Sequence, residues 1–226
     1  MNGLGAQFLM SFADIRDMII QGDFNNEKLI SIFTLLVVCS LSVFAGPFGL
    51  DMGMTIEDVT KACGGNEPEY ISDDRYYIQP VKSHPLFEGY VVWISETEGL
   101  YYIKGISREI QANDYGTEVK QEFAKLLSPL ERKYGNFEII DEIVSDDVLP
   151  YELESKEWMH TIAEGSRICE AHWSADEDNF EKFGGLITIS IGVKTEATYI
   201  TSKAYIWIEY GFANAIDGFD NLDDVL

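Results

Sequence analysis

The last third of the chain alternates with a period of two. Ile187, Ile189, Ile191 and Val193 are interleaved with Thr188, Ser190, Gly192 and Lys194. Ala204, Ile206, Ile208 and Tyr210 are interleaved with Tyr205, Trp207 and Glu209. Successive side chains of a strand point to opposite faces, so each run predicts a strand with one buried face. A loop near residues 195–201 joins them. Shorter apolar runs at 89–94 (GYVVWI) and 100–106 (LYYIKGI) flank the polar stretch Ser95-Glu96-Thr97-Glu98-Gly99, which predicts a hairpin. Residues 76–78 and 137–144 are further strand candidates. Residues 168–173 are another, and they turn Cys169, Ala171 and Trp173 to one face.

Between these runs the period changes to 3.6. Val119, Phe123, Leu126, Leu130 and Tyr134 share one face of a helix over 116–135. Thr117 is placed to cap it, Gly135 to end it, and Pro129 predicts a kink or break. A shorter helix follows Thr55, with Asp58 at the reciprocal capping position, Gly64 or Gly65 as the stop, and Ile56, Val59 and Cys63 on one side. A third spans 152–164 and buries Trp158, Met159, Ile162 and Ala163. Residues 145–151 and 174–185 read as loops. One-sided alternation with intervening helices predicts an α+β fold: an antiparallel sheet with helices packed on one face.

Residues 29–45 (LISIFTLLVVCSLSVFA) break both patterns. They are apolar and uncharged, follow Lys28, and end in Val43-Phe44-Ala45 before Gly46. That is the layout of a signal peptide, so we expect residues 28–45 to be removed and the mature chain to begin at Gly46. Two alternatives stand: an uncleaved anchor through 29–50, and a lipoprotein signal at Cys39. Residues 1–27 fit no part of a signal; they are either an over-extended gene start or a short amphipathic leader.

Composition adds a constraint. The chain has 226 residues and a formal net charge of −23, from 39 acidic and 16 basic residues, nearly all of the excess falling after residue 45. Such a surface repels phosphate backbones and anionic lipids, so neither nucleic acid nor strong membrane contact is expected after cleavage. A basic protein would be attracted. With 46% hydrophobic and 13% aromatic residues the chain can fill a core.

Gly53-Met54-Thr55, then Val59, Gly64 and Pro68 before a strand pair, resembles the signature of small outer-membrane assembly lipoproteins of the SmpA/OmlA type. The β-lactamase-inhibitor-protein fold is similar and uses such a helix-plus-strands unit twice. The resemblance covers about the first third of the mature chain, mainly residues 49–106, and its Gly and Pro are spaced more widely than is usual for the family. It implies a first unit at 46–115 and a diverged second copy at 116–226, followed by an acidic tail. It also implies a role in binding other proteins.

Candidate chemistry is sparse. Cys169-x-x-His172 has metal-ligand spacing and His160 lies nearby in sequence, but a strand directs Cys169 and His172 to opposite faces. No metal, cofactor or catalytic residue is therefore assigned. Cys63 and Cys169 are the two cysteines left after cleavage; they form either one disulfide or two buried thiols. Two acidic loops, at 176–179 and 217–223, lack the full frame of a calcium loop. The unusual resource is aromatic. Tyr90, Tyr101, Tyr102, Tyr205 and Trp207 fall on strands, and neighbours such as Tyr101 and Tyr102 must face opposite ways, so part of this set lies on the sheet's outer side as candidate binding residues. These features lead to an exported protein-binding module: an envelope component, an inhibitor or an immunity-type protein. The alternatives are an exported hydrolase with His160 or His172 beside a carboxylate, and a membrane-anchored structural protein.

Overall fold

The computed structural model describes residues 46–145, 157–197 and 202–215. The leader, the residue 217–223 loop and the first part of the helix expected at 152–164 lie outside these. No described helix is long and apolar enough to cross a membrane. Residues 45–226 form one compact unit.

The expected α+β architecture is present. Nine described strands make one antiparallel sheet: β1 (Glu69–Ser72), β2 (Arg75–Ile78), β3 (Phe87–Ser95), β4 (Gly99–Ser107), β5 (Ile110–Gln111), β6 (Glu138–Ile143), β7 (Arg167–Ser174), β8 (Leu186–Ala197) and β9 (Ser202–Phe212). Their spatial order is β1-β2-β3-β4-β9-β8-β7-β6, with β5 beside β9. Each half of the chain thus contributes a four-stranded meander. The meanders join through their last strands, β4 and β9, with Tyr102 opposite Gly211 and Ile106 opposite Trp207. Four described helices accompany them: α1 (Ile56–Ala62), α2 (Thr117–Tyr134), α3 (Trp158–Ala163) and α4 (Phe180–Phe183).

The register explains the burial. Val92, Ile103, Tyr210, Ile189 and Trp173 form one row across five strands, and all are buried. Helices cover this side: Val119, Phe123 and Leu126 of α2, Trp158, Met159 and Ile162 of α3, Phe183 of α4 and Val59 of α1 join the same core. Two side-chain bonds fix the layers together. Thr195 Oγ1 donates to the Met159 carbonyl at 2.6 Å, and Trp173 Nε1 donates to the Gly135 carbonyl at 3.0 Å. Burying such donors with partners avoids the desolvation cost of leaving them unpaired.

Local details refine the sequence reading. Thr55 and Asp58 form the expected reciprocal cap. Thr117 does not cap α2. Gly116, in the left-handed region, turns the chain into the helix, and Asn113 Oδ1 accepts from the Thr117 amide at 3.1 Å. A Cβ on Gly116 would lie 2.3 Å from the Trp158 ring, so this turn also seats α3. Helix α2 continues through Pro129 without ending. Pro129 is exposed, so water can satisfy the carbonyl it leaves free. On α3, Ala163 is exposed and Thr161 is buried instead, its hydroxyl donating to the Trp158 carbonyl at 3.0 Å. Within the acidic loop at 174–185, Asp176 accepts from the Asp178 and Asn179 amides and introduces the short α4.

The Gly53-Met54-Thr55 motif has a structural reason. Gly53 donates to the Leu100 carbonyl and Leu100 donates to the Met54 carbonyl, both at 2.8 Å, so the motif ties the α1 entry to the start of β4. The two backbones nearly touch: a Cβ on Gly99 would lie 2.4 Å from the Gly53 carbonyl oxygen, and both glycines have positive φ. We expect Gly99→Ala to lower stability by about 2–4 kcal/mol, from left-handed strain plus overlap. Gly65→Ala, with positive φ but open space around it, should cost about 1 kcal/mol. Urea unfolding of the two variants checks the difference.

His84 makes a second prediction. Its ring lies against Phe87, and this partial burial holds its pKa below the ordinary value. Its Nδ1 accepts from the Leu86 amide at 3.2 Å, which requires the neutral ring. The unfolded chain therefore takes up this proton before the folded chain does. Stability from this residue is full above about pH 6.5 and falls as pH drops through that value. His84→Asn keeps an acceptor for the amide and should flatten the slope relative to the parent in denaturation curves between pH 5 and 7.

Candidate functional site

The opposite face of the sheet carries no described helix, and its side chains are organised in cross-strand rows. One row reads Tyr77, Val91, Lys104, Glu209, Ser190, His172 and Glu138. Beside it run Arg75, Trp93, Tyr102, Gly211 and Thr188 on one side, and Ile106, Trp207, Gly192 and Glu170 on the other. Trp93, Tyr102, Lys104, Trp207 and Glu209 are all half-buried, as expected of side chains shielded only by each other.

Glu209 is the hub. Its carboxylate accepts from Lys104 Nζ at 2.6 Å and from the Tyr102 hydroxyl. Burial and this neighbouring carboxylate push the Tyr102 phenol well above the ordinary tyrosine range, so it stays a neutral donor. The Tyr102 ring meets Trp93 edge-on at 5.0 Å between centroids. Lys104 Nζ stands 5.5 Å from the centre of the Trp207 ring. That indole lies across Gly192, where a Cβ would come within 2.3 Å of it. A residue with no side chain therefore makes the flat seat on which Trp207 rests. Tyr205 sits further along β9, its hydroxyl donating to Glu109 at 3.3 Å.

Of the five candidate binding residues, Tyr102, Tyr205 and Trp207 are on this face. Tyr90 and Tyr101 are fully buried, which leaves them no surface to offer a partner. The Tyr90 ring packs on Phe48 and its hydroxyl accepts from the His84 amide at 2.9 Å. The Tyr101 phenol lies beside the Asp74 carboxylate, and burial followed by that charge pushes its pKa up to about 12. Trp93, Lys104 and Glu209 complete the surface. The hairpin of β3 and β4 is legible in the sequence, but the pairing of β4 with β9 that brings Glu209 to Lys104 is not.

The cysteines stay apart. Cys63, at the end of α1, and Cys169, on β7, are both free and buried. Cys63 neighbours the segment after β2, and four strands separate β2 from β7, a span of more than 20 Å at ordinary strand spacing. The disulfide alternative is thereby corrected to two buried thiols. Burial pushes the Cys169 thiol up to about 12, far from reactive.

His172 lies on the outer face and Cys169 on the covered one, so the two do not converge. Among the described residues no cluster of three metal-ligating side chains exists. His172 does have partners: its Nδ1 is 2.9 Å from Ser190 Oγ and its Nε2 is 3.1 Å from Glu170. The order hydroxyl, imidazole, carboxylate resembles a nucleophile relay. Both strands are interior to the sheet, however, and their amides are committed to the ladders. Among the described residues of these strands no adjacent pair of free backbone donors stands ready for an oxyanion, which is usually the larger part of such catalysis. Among the described residues His160 pairs with Glu164, at 3.1 Å on the far side of the sheet.

No family model matches the chain, and no curated protein or solved structure is significantly similar to it.

Proposed function

We propose that this chain is an exported protein-binding module that docks a basic protein on the outer face of its sheet. The observation that supports this best is the aromatic surface of Trp93, Tyr102, Tyr205 and Trp207 around Glu209, on a face over which no described helix lies. Aromatic rings held in fixed rotamers lose little entropy when they become buried in an interface. A net charge of −23 selects the class of partner. It steers a basic surface toward the molecule and repels nucleic acid. In this reading Lys104 neutralises Glu209 in the free protein while Tyr102 hydrogen-bonds it, and a partner's cation competes for the carboxylate. The resemblance of Gly53-Met54-Thr55 to envelope-assembly lipoproteins, and the signal-like residues 28–45, favour a site of action outside the cytoplasm.

Site-specific photocrosslinking in the producing cell tests the surface. A benzophenone amino acid is placed at Tyr102, Tyr205 or Trp207, and at Tyr115 and Phe180 as exposed controls. We expect one adduct with a basic protein from the three sheet positions and none from the controls. Equal adducts at the controls, or none at the sheet, would sink the outer-face reading.

Hydrolysis is the second reading, and the contact of His172 with Ser190 and Glu170 is the one observation in its favour. An activated Ser190 would be trapped by a fluorophosphonate. The expected outcome is no label on Ser190 by peptide mass mapping. A label that disappears in Ser190→Ala would restore the enzyme reading.

A further inference from the structure

Residues 46–50 are anchored in the core by two of their number. Pro47 is buried and Leu50 is fully so. A single 3-10 turn spans Pro47–Gly49, with Gly49 donating to the Gly46 carbonyl at 3.1 Å and Leu50 to the Pro47 carbonyl at 3.0 Å. Phe48, held at a φ of 59°, inserts its ring between Tyr90, Tyr210 and Phe87, at centroid distances of 4.7, 5.8 and 6.1 Å. A bulky residue accepts that backbone strain only when packing fixes it. The position of the nitrogen two residues earlier is therefore set by the core.

That nitrogen points at a carboxylate. Gly46 N donates to Asp51 Oδ1 at 2.7 Å. Position 46 also admits no side chain, since a Cβ would lie 1.9 Å from the Leu50 carbonyl oxygen. Gly46, held in the fold by these contacts, directly follows Ala45, where the signal-like pattern ends.

We propose that the Ala45–Gly46 bond is a processing site, and that the α-ammonium released by cleavage is captured by Asp51 as an ion pair that locks the new N-terminus into the fold. The step is hydrolysis by a signal-peptidase-class endopeptidase. Water adds across the amide; Ala45 leaves as a carboxylate, and the Gly46 nitrogen, which held one hydrogen, becomes an ammonium holding three. One of those hydrogens stays on Asp51 and the other two face solvent. An amide–carboxylate bond becomes a charge-assisted one, which is roughly twice as strong. The groups around it are Asp51 on its own segment, Met54, whose sulfur accepts from the Asp51 amide at 3.4 Å, and Lys82, whose stem lies along Gly49. This proposal rests on the exported reading, because only export exposes the bond to such a peptidase.

The test begins with the full chain expressed in its native host and the intact mass of the product. A mass starting at Gly46 is expected; a product retaining residues 1–45 overturns the processing step and the exported reading together. The purified product is then compared with its α-acetylated form, and both again in Asp51→Asn. At pH 6 the free-amine form should melt about 2 °C or more above the acetylated one, and Asp51→Asn should abolish that gap. Pairing raises the pKa of the amine above its ordinary value of about 8, so the gap is full below that pH and closes as pH rises beyond it. It should also shrink in 1 M salt, because Asp51 is exposed. Processing at Gly46 with no gap, or with a gap that survives Asp51→Asn, overturns the ion pair and leaves the exported reading intact.

Discussion

The ladder between β4 and β9 is the constraint on which the rest of this molecule depends. Without it each half is a four-stranded meander with an unpaired last strand and an apolar face too wide for its own helices. Sequence supports the junction at each level. Gly105 lets Ile208 and the Phe87 ring approach within the core, where a Cβ would stand only 3.0 Å from Ile208. The buried Ser107 hydroxyl accepts from the Ile206 amide at 2.9 Å, finishing the ladder where β4 ends. On the outer face Lys104 and Glu209 close the same junction with charge. The surface proposed for binding is thus the solvent side of the seam itself. Fold and site share their central residues.

Much of the fold was legible because its cause is local. Period-two alternation located the two longest strands, since a one-sided sheet must bury every second residue, and short apolar runs beside turn residues located others. The cap at Thr55 was legible because a capping box is complete within four residues. What could not be read needed partners distant in sequence. Strand β5 is two residues long and exists only because β9 offers it a place. The capping of α2 by Asn113 depends on a left-handed glycine that Trp158 covers from elsewhere in the chain. Pro129 predicts a kink or a break, and the helix does not break there but runs on to Tyr134.

The candidate site was half legible for the same reason. Alternation sends Tyr102, Tyr205 and Trp207 outward while Tyr101 is buried. Tyr90 falls on the buried alternation of β3, in step with Val92 and Ile94. The hub at Glu209 had no local signal: the chain is crowded with acids, and only the β4–β9 register singles out the one that meets Lys104 and Tyr102. The cysteines were ambiguous in sequence because both lie on apolar faces. Their separation follows from strand order, which no spacing rule encodes.

The position of β9 also bears on how the molecule is made. It is the last strand of the sheet in sequence order and stands at its centre, pairing with β4 and β5 on one side and β8 on the other. A ribosome delivers residues 202–212 after every other strand. Until they emerge, the first meander has no seam to join and β5 has no strand to pair with. The nascent chain is thereby kept from closing early, and nearly its whole length must be synthesised before the sheet can form as one piece. Completion of the sheet is thus a late step of vectorial synthesis.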